Sequence, residues 1–560
     1  MRHLRNTLVF TFLCSLTNAW AQLSTNELPV SFSEKMDMEA GDVNNVPTVV
    51  MPELDMAKIE AEDRQDEIDD IPPRFGYLHR VNFNLDNSGV WHLLPNGDRL
   101  WQLNVICPRA LSVNFSYDKF WIPEGGKFFV YSRDRKHSIG AFTSQNNKGD
   151  KENAGGFLTG LVYGSDVILE YYQPKRVNDD PIISIDYVVH GYRYINYGAK
   201  LFGDADSCEV NVNCDEGQDW QNEKKAVALI VVDRNRLCTG ALVNMTDFGQ
   251  EPYLLTANHC VSSDGDACGD AILNNYAFYW NYETPGCNNT HIEPAYLSTS
   301  GATLLANNDY SDFALLRLTE DPKYLPSYTP YYLGWNRSTT NITAGVCIHH
   351  PRGDVKKIST VLNQPVSLIS LWKVYWKNTE HGHGIVEGGS SGSPLFNHEH
   401  KVIGQLKGSI PLLSCDNPDE YSAYGKLNIS WTGNNNDSIC RRLNHWLDPI
   451  GTGELAIEGL LPISSNVVMS TNESMYSNIR INSGGQLTVQ SNVILLGNGK
   501  VVVESGGKLE ISDGSLSCVD IILKSGASLL IQNNGTINLS GEFIAADGAV
   551  IDITHGQILQ

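Results

Sequence analysis

Apolar and polar residues alternate along much of the chain, and this period-two pattern predicts a mostly β protein. It is clear between about residues 75 and 197, for example from Asp98 to Val105. Turn signals such as Pro95-Asn96-Gly97 divide the pattern into short strands. We therefore expect a β-rich domain over residues 75–202. It holds one cysteine, Cys107, and no cluster of residues that suggests chemistry.

The same β-rich pattern continues over residues 203–461, where nine of the 12 cysteines lie. Near the end of this stretch, apolar residues recur at helical spacing over residues 438–447, and Asp448-Pro449 follows. This spacing predicts one amphipathic helix that closes the domain against a β core.

The tail is a repeat array over residues 470–560. The segment Ile479–Val489 recurs at Val501–Ile511, at Ile521–Ile531 and more loosely from Phe543, with offsets of 22, 20 and 22 residues. A period near 20 residues, with alternating apolar positions and a glycine-containing corner, is typical of a β-solenoid. Its polar turns contain no catalytic cluster, so we expect a structural spacer or an attachment to the cell surface, and less readily carbohydrate binding.

Residues 1–21 read as a signal peptide. Two arginines precede a short apolar stretch, and Ala19-Trp20-Ala21 fits a small-x-small cleavage site. We therefore expect a secreted or cell-surface protein in which disulfides persist. Residues 22–74 follow as an acidic linker or N-terminal pro-segment, because a dense acidic run from Glu53 to Asp70 is typical of a solvated linker.

Charge and cysteine spacing exclude two classes of partner. The net charge of -23 offers no basic stripe for nucleic acid. No Cys-x-x-Cys pair is present, so we expect neither a zinc site nor any other metal or cofactor.

Three short strings carry the candidate chemistry. They are Leu255 to Cys260, containing His259; Ser311 to Leu316, containing Asp312; and Gly388 to Pro394, containing Ser391. A serine hydroxyl is a weak nucleophile that needs a base and a carboxylate to orient that base. The order histidine, aspartate, serine therefore predicts a catalytic triad. Asp309 is the rival carboxylate, but it lies in a polar turn.

The glycines around Ser391 predict an oxyanion hole. Gly389 and Gly392 allow a sharp turn in which the amides of Gly389 and Ser391 converge. Ser390 and Ser393 are rival nucleophiles, but only Ser391 has a glycine two residues before it and another directly after it. The string is not the Gly-x-Ser-x-Gly elbow of α/β-hydrolases, which argues against a lipase or esterase.

With these strings in place, residues 75–461 resemble the bacterial lysyl endopeptidase branch of the chymotrypsin-like serine proteases. The motifs that carry the resemblance are Cys238–Asn244, Leu255–Cys260, Tyr279–Tyr282, Ser311–Phe313, His349–Pro351, Gly389–Pro394, Ser430–Gly433 and Trp446–Pro449. The resemblance implies a double β-barrel with the triad at the interface of the barrels. It also implies a β-rich propeptide that assists folding and inhibits the enzyme, with a mature chain beginning near Gly203.

The resemblance further implies three disulfides by position: Cys208–Cys415, Cys214–Cys287 and Cys238–Cys260. Cys268, Cys347 and Cys440 match no cysteine of the family, and we expect a Cys347–Cys440 bond.

Two departures from the family concern the substrate-binding residues, which we predict to include Lys407, Gly408 and Ser422. Lysyl endopeptidases carry an aspartate at the position of Ser422, and a neutral hydroxyl cannot pair a buried ammonium. Lys407 stands where the family has a histidine, and its charge disfavours basic substrates. We therefore expect a secreted serine endopeptidase of proteins or peptides that does not prefer lysine. The alternatives are a lysine-specific enzyme that uses Asp419 or Glu420, and a non-catalytic adhesive protein that works through its solenoid.

Overall fold

The computed structural model describes residues 27–32, 46–69, 71–193, 205–261, 266–269, 271–289, 294–340, 342–343, 345–409 and 413–560, and the backbone of residues 21–22. Strands dominate these residues, so the expected mostly β fold is confirmed. Apart from Ala21, the predicted signal peptide lies outside the described residues, as does the junction between residues 202 and 203. In the part of the chain that is described, no helix has the length and apolarity needed to cross a membrane.

The N-terminal domain is a sandwich of two sheets that share one hydrophobic core. Phe115 and Phe120 from one sheet pack in that core with Leu103 and Leu169 from the other. The first sheet contains Gly76–Asn84, Ser112–Trp121, Phe157–Leu158, Val162–Tyr163 and Ile182–Gly191. The second contains Thr48–Val50, Val90–Leu93, Arg99–Ile106, Lys127–Ser132, Ser138–Phe142 and Asp166–Gln173.

The acidic stretch 22–74 differs from the expected solvated linker. Thr48–Val50 pairs in parallel with Arg99–Ile106, and Met56–Ile68 forms an α-helix, named α1, capped by the Asp55 side chain. Within α1, Asp63 is only 6% exposed and pairs with Arg74 and Arg193. Asp63 is therefore held by cations outside the helix, and one of them, Arg193, is 130 residues away, which the local sequence does not reveal.

Two barrels follow the N-terminal domain. In the first, Leu297–Asn308 pairs with both Ile272–Trp280 and Phe313–Leu318, which closes a six-stranded barrel. Its strands are Val227–Val232, Arg236–Leu242, Tyr253–Ala257, Ile272–Trp280, Leu297–Asn308 and Phe313–Leu318, and the two-residue strand Ala21–Gln22 adds to Leu297–Asn308. The second barrel contains Trp335–Asn336, Val346–His349, Lys357–Thr360, Val366–Ser367, Leu371–Val374, Pro394–Phe396, Val402–Ser409, Ser422–Lys426 and Ala456–Ile457.

Helices are few among the described residues. There, the α-helices are α1, α2 (Leu427–Thr432) and α3 (Asn444–Leu447). The 3-10 helices of the same residues are Val30–Phe32, Ser144–Asn146, Asp215–Trp220, Glu223–Ala226, Asn258–Cys260, Ala267–Gly269, Pro322–Tyr324, Pro351–Gly353 and Ile439–Arg441.

The single helix predicted over residues 438–447 is split into Ile439–Arg441 and α3. Arg442 between them is extended, with φ -148° and ψ 150°. Cys440 is tied to Cys268 by a disulfide. The expected Cys347–Cys440 bond is therefore wrong, and Cys347 is a buried free thiol. The structure also contains the Cys208–Cys415, Cys214–Cys287 and Cys238–Cys260 disulfides.

The tail forms a parallel β-solenoid of about five coils, as expected. Each coil contributes one strand to each of three five-stranded sheets. The strands in chain order are Gly459–Ile463, Asn466–Met469, Glu473–Met475, Ser477–Ile481, Gln486–Val489, Asn492–Leu495, Val501–Val503, Lys508–Ser512, Ser515–Cys518, Ile521–Leu523, Ser528–Gln532, Thr536–Leu539, Phe543–Ala545, Val550–Ile553 and Gln557–Leu559.

The solenoid packs against the barrels without a separating linker. Leu460 of the first coil bridges to Tyr332, and the interior of the solenoid belongs to the same hydrophobic cluster as the first barrel. Polar contacts reinforce this junction: Arg480 donates to the Phe248 carbonyl at 2.6 Å, and Lys401 pairs with Glu458 at 2.9 Å.

The N-terminal domain also buries polar groups against the first barrel. The Lys148 ammonium donates to the Ser300 hydroxyl at 2.9 Å, and Asn146 donates to Glu320 at 3.2 Å. Burial lowers the pKa of Lys148 to about 8, and the nearby Glu320 carboxylate offsets part of that effect. Because a buried charge is costly unless it is paired, this contact ties the two domains in one arrangement.

Candidate active site

His259 lies at the end of a buried strand of the first barrel. Tyr253–Ala257 is buried along its whole length, and the chain then turns through Asn258–Cys260. The Cys238–Cys260 disulfide fixes the backbone directly after the histidine. The imidazole is 18% exposed, so it can reach a substrate while its backbone is held.

Asp312, directly before the neighbouring strand Phe313–Leu318, is hydrogen bonded to His259. Its Oδ2 lies 2.8 Å from His259 Nδ1, and its Oδ1 accepts the His259 backbone N–H at 3.0 Å. The side chain is only 3% exposed, and a buried carboxylate is stable only when it is paired in this way. Asp312 adopts φ 55°, a left-handed conformation that is uncommon outside glycine. Asp309 is exposed and does not compete for this position.

Ser391 lies at the seam of the two barrels, where its carbonyl oxygen is 3.9 Å from the Sγ of Cys260, the residue after His259. Its carbonyl accepts the Thr239 N–H at 2.8 Å, and Thr239 follows Cys238 of the disulfide next to His259. Ser391 also lines a cavity of about 520 Å³. Ser391 thus lines a space large enough for a peptide side chain.

The turn around Ser391 depends on its two glycines. Gly389 has φ 93° and Gly392 has φ 84°, and a Cβ added to Gly392 would lie 2.2 Å from Thr256 Oγ1. Within the described residues, the amides of Gly389 and Ser391 donate to no protein acceptor. Two such amides on one turn form the donor pair that an oxyanion requires.

The rival serines are engaged in other contacts. Ser390 is fully buried, with its hydroxyl 2.8 Å from His349 Nδ1. Ser393 is also fully buried and contacts the Cys347 thiol at 3.2 Å. Only Ser391 of the three is partly exposed.

The predicted substrate-binding residues occupy three different positions. Gly408 lines the cavity together with Ser409. Ser422 lies behind Ser409, fully buried, with its hydroxyl 2.8 Å from that of Ser409 and accepting from Trp376 Nε1 at 3.0 Å. Lys407 instead lies beside the candidate triad, its ammonium 3.9 Å from Asp312 Oδ2.

Glu387 and Arg352 also line the cavity, and the sequence patterns did not identify them. Arg352 Nε donates to Glu387 Oε1 at 2.6 Å, while Glu387 Oε2 accepts the Asp206 N–H at 3.0 Å. Burial raises the pKa of Glu387, and Arg352 counteracts part of that rise. Both carboxylate oxygens are thus occupied inside the protein. The Gly-Gly-Ser motif that begins at Gly388 was the one nearby sequence signal.

The far wall of the cavity comes from the N-terminal region. Asp63 and Asp66 of α1, together with Pro73 and Phe75, line the same space as Ser391. The Pro73 carbonyl accepts from Leu237 N at 2.9 Å, and Phe75 N donates to the Asn235 carbonyl at 2.9 Å. These two hydrogen bonds add an extended segment to the edge of the first barrel.

The part of the chain that contains His259, Asp312 and Ser391 is similar to known proteins. Residues 202–425 match the family model described as lysyl endopeptidase, C-terminal domain. The lysyl endopeptidase of Pseudomonas aeruginosa is 30% identical over 223 residues, which cover 37% of this chain and 46% of that relative. The chain therefore spans about half the length of the curated relative that it matches.

Solved structures similar to this chain include a serine endoprotease from Yersinia pestis and the human heparin binding protein. The first is 17% identical with a TM-score of 0.25, covering 38% of this chain and 62% of that one. The second is 15% identical with a TM-score of 0.26, covering 37% and 88%.

The barrels and the site geometry define a trypsin-type fold. Residues 202–425 are similar to lysyl endopeptidases, which confirms for this part of the chain the resemblance inferred from the sequence motifs.

Proposed function

We propose that the protein is a serine endopeptidase that acts through His259, Asp312 and Ser391. The observation that carries the proposal is the 2.8 Å contact between His259 Nδ1 and Asp312 Oδ2. Cys260, directly after His259, has its Sγ 3.9 Å from the carbonyl oxygen of Ser391, which lines the cavity. A carboxylate that holds the proton on Nδ1 places the imidazole lone pair on Nε2, the nitrogen that acts as the base.

In the proposed reaction, Ser391 Oγ attacks the scissile carbonyl while His259 accepts its proton. The amides of Gly389 and Ser391 stabilise the oxyanion, and Asp312 stabilises the imidazolium. His259 then gives its proton to the leaving amine, which frees the new N-terminus and leaves an acyl group on Ser391. Water then attacks the ester carbonyl while His259 accepts its proton, and His259 gives that proton to Ser391 Oγ as the acid product leaves.

We propose that the pocket before the cut does not select lysine. Ser422 offers a neutral hydroxyl, and both oxygens of Glu387 are engaged by Arg352 and Asp206. Asp419 is exposed rather than buried in the pocket, so a lysine-specific enzyme based on this residue has less support.

We also propose that the chain is made as an inactive precursor whose N-terminal region is a propeptide. The support is the segment Pro73–Phe75, which is hydrogen bonded along the cleft, and α1, which lies over the same cavity. The expected cut near Gly203 would release this region.

We further propose that the protein is secreted and attached to a surface. The signal-like residues 1–21 and the four disulfides support a secreted protein, because disulfides persist in oxidising compartments. The solenoid is the proposed surface attachment.

Labelling with a fluorophosphonate probe tests the proposal, because the probe reacts only with an activated serine. We expect labelling of the processed chain, its loss in Ser391→Ala and its retention in Ser393→Ala. A peptide library should then show cleavage at positions other than lysine. Failure of the processed chain to react with the probe or to cleave any peptide would instead favour the non-catalytic adhesive alternative.

A further inference from the structure

Two arginines lie opposite each other on neighbouring strands where the N-terminal segment adds to the barrel edge. Arg74 of that segment pairs with Arg236 of the barrel in an antiparallel bridge. Like charges directly opposite each other on neighbouring strands are destabilising. The pair therefore needs compensation from other groups.

The acidic residues of α1 supply this compensation. Arg74 pairs with Glu62 at 2.7 Å and Asp63 at 2.6 Å, while Arg236 Nη2 pairs with Asp66 Oδ2 at 2.9 Å. Arg236 Nη1 also donates to the Pro72 carbonyl at 2.6 Å. Both of these partners of Arg236 belong to the N-terminal region.

The position of this edge relative to the triad indicates which part of a substrate it would meet. Leu237 is followed by Cys238, whose disulfide partner Cys260 follows His259. The amine released by cleavage takes its proton from the histidine, so the substrate chain after the cut leaves on the histidine side. A Cβ added to Gly388, next to the proposed oxyanion hole, would lie 3.3 Å from Pro73 Cγ, so the segment runs past the reacting centre.

We propose that Arg236 selects substrates with an acidic residue after the cut, at the position that Arg74 occupies in the precursor. This inference rests on the proposed endopeptidase function. Once the N-terminal region leaves, Arg236 loses Asp66 and the Pro72 carbonyl. A substrate strand on the same edge brings no acidic helix, so a glutamate or aspartate opposite Arg236 replaces the lost carboxylate.

The exposure of the Arg236–Asp66 ion pair indicates how strongly Arg236 should affect kcat/KM. The side chains of Arg236 and Asp66 are 25% and 21% exposed, so solvent screens their attraction only in part. We expect a glutamate at this position to raise kcat/KM about threefold to tenfold over glutamine, and a lysine to lower it. The preference should shrink between about 0.05 M and 0.5 M salt, because the screening length shortens.

The test uses the full chain, folded with its N-terminal region and then cut at the 202–203 junction through an inserted protease site. After removal of the N-terminal piece, quenched peptides that differ only by one Glu, Gln or Lys, placed in turn at the first four positions after the cut, are assayed. Wild type should prefer Glu at one position, Arg236→Gln should lose the preference, and Arg236→Glu should prefer Lys. Arg317→Gln, which removes an exposed arginine on Phe313–Leu318, is the matched control and should behave as wild type.

Binding of the same peptides to the Ser391→Ala chain separates this inference from the proposed function. Cleavage of all peptides at equal rates would overturn the role of Arg236 and leave the endopeptidase standing. If nothing is cleaved, the endopeptidase proposal fails. The Glu peptide should still bind more tightly than the Lys peptide in a manner that depends on Arg236, and equal binding would overturn the inference.

Discussion

Ser422 is the residue on which the proposed lack of lysine preference depends. It is buried, and its hydroxyl is held between Ser409 and the Trp376 indole N–H. The indole N–H could equally donate to a carboxylate in this position. The lysyl endopeptidases that the chain resembles have an aspartate here, so charge at this site can be tested without rebuilding the pocket.

We predict that Ser422→Asp raises cleavage after lysine relative to leucine by about tenfold or more, because a buried carboxylate pairs an ammonium that a hydroxyl cannot. Ser422→Asn has the same size without the charge and serves as the matched control. The measurement is kcat/KM on peptides that differ only in the residue before the cut. Equal ratios in both variants would show that Ser422 does not face the substrate side chain.

The candidate site residues differ in how far sequence could predict them. His259, Asp312 and Ser391 each lie in a short local string, and their order is informative, so all three could be proposed from sequence. Glu387 and Arg352 could not, because their meaning depends on a contact between residues 35 positions apart. Sequence also could not show that Ser390 and Ser393 are fully buried, which separates them from Ser391 in the structure.

At the scale of elements, α1 is a helix that the hydrophobic pattern of its sequence does not predict. Its sequence has dense charge and no apolar stripe, which is typical of a solvated segment. Its stability instead comes from Arg74, Arg193 and Arg236, which lie beyond the helix. The solenoid is the opposite case, because the strands and corners of each coil can be predicted from the residues of that repeat alone.

Asp63 is the central carboxylate of this helix. It accepts from Arg74 at 2.6 Å, from Arg193 at 2.8 Å and from the Tyr192 hydroxyl at 2.9 Å, and removal of one partner from such a buried network is strongly destabilising. We predict that Asp63→Asn in the uncut chain loosens α1 and speeds fluorophosphonate labelling of Ser391 about tenfold or more.

The matched control for this experiment is Glu60→Gln, which changes an exposed residue of the same helix. Its labelling rate should stay close to that of the wild-type chain. If Asp63→Asn is labelled no faster than Glu60→Gln, the helix does not control access to the serine.

For the whole molecule, buried histidines predict sensitivity to acid. Burial lowers the pKa of His137 to about 4, and that of His349 in the second barrel to about 3. The unfolded chain has the ordinary histidine pKa near 6.5, so it binds more protons than the folded chain below that pH. The free energy of unfolding should therefore fall as pH falls from about 6.5 towards 4.

His137→Gln tests this prediction, because glutamine can still accept the Tyr163 backbone N–H that His137 Nδ1 accepts at 3.2 Å. Urea unfolding between pH 7 and pH 4.5 should show a shallower loss of stability in the variant, by up to about 1.4 kcal/mol per pH unit. His555→Gln, on the exposed last coil, should keep the wild-type slope. Identical slopes for all three chains would contradict the assignment.

The shared core of solenoid and barrel has a mechanical consequence. A module on a flexible tether can take many orientations relative to its enzyme, whereas Leu460 of the first coil and Arg480 of the second coil attach the solenoid to the barrel. Neighbouring strands in such a sheet lie about 4.8 Å apart, so the five coils form a rigid extension roughly 20 Å long. A partner bound to the far end of the solenoid therefore also fixes the orientation of the cleft, and a force applied there acts directly on the barrel.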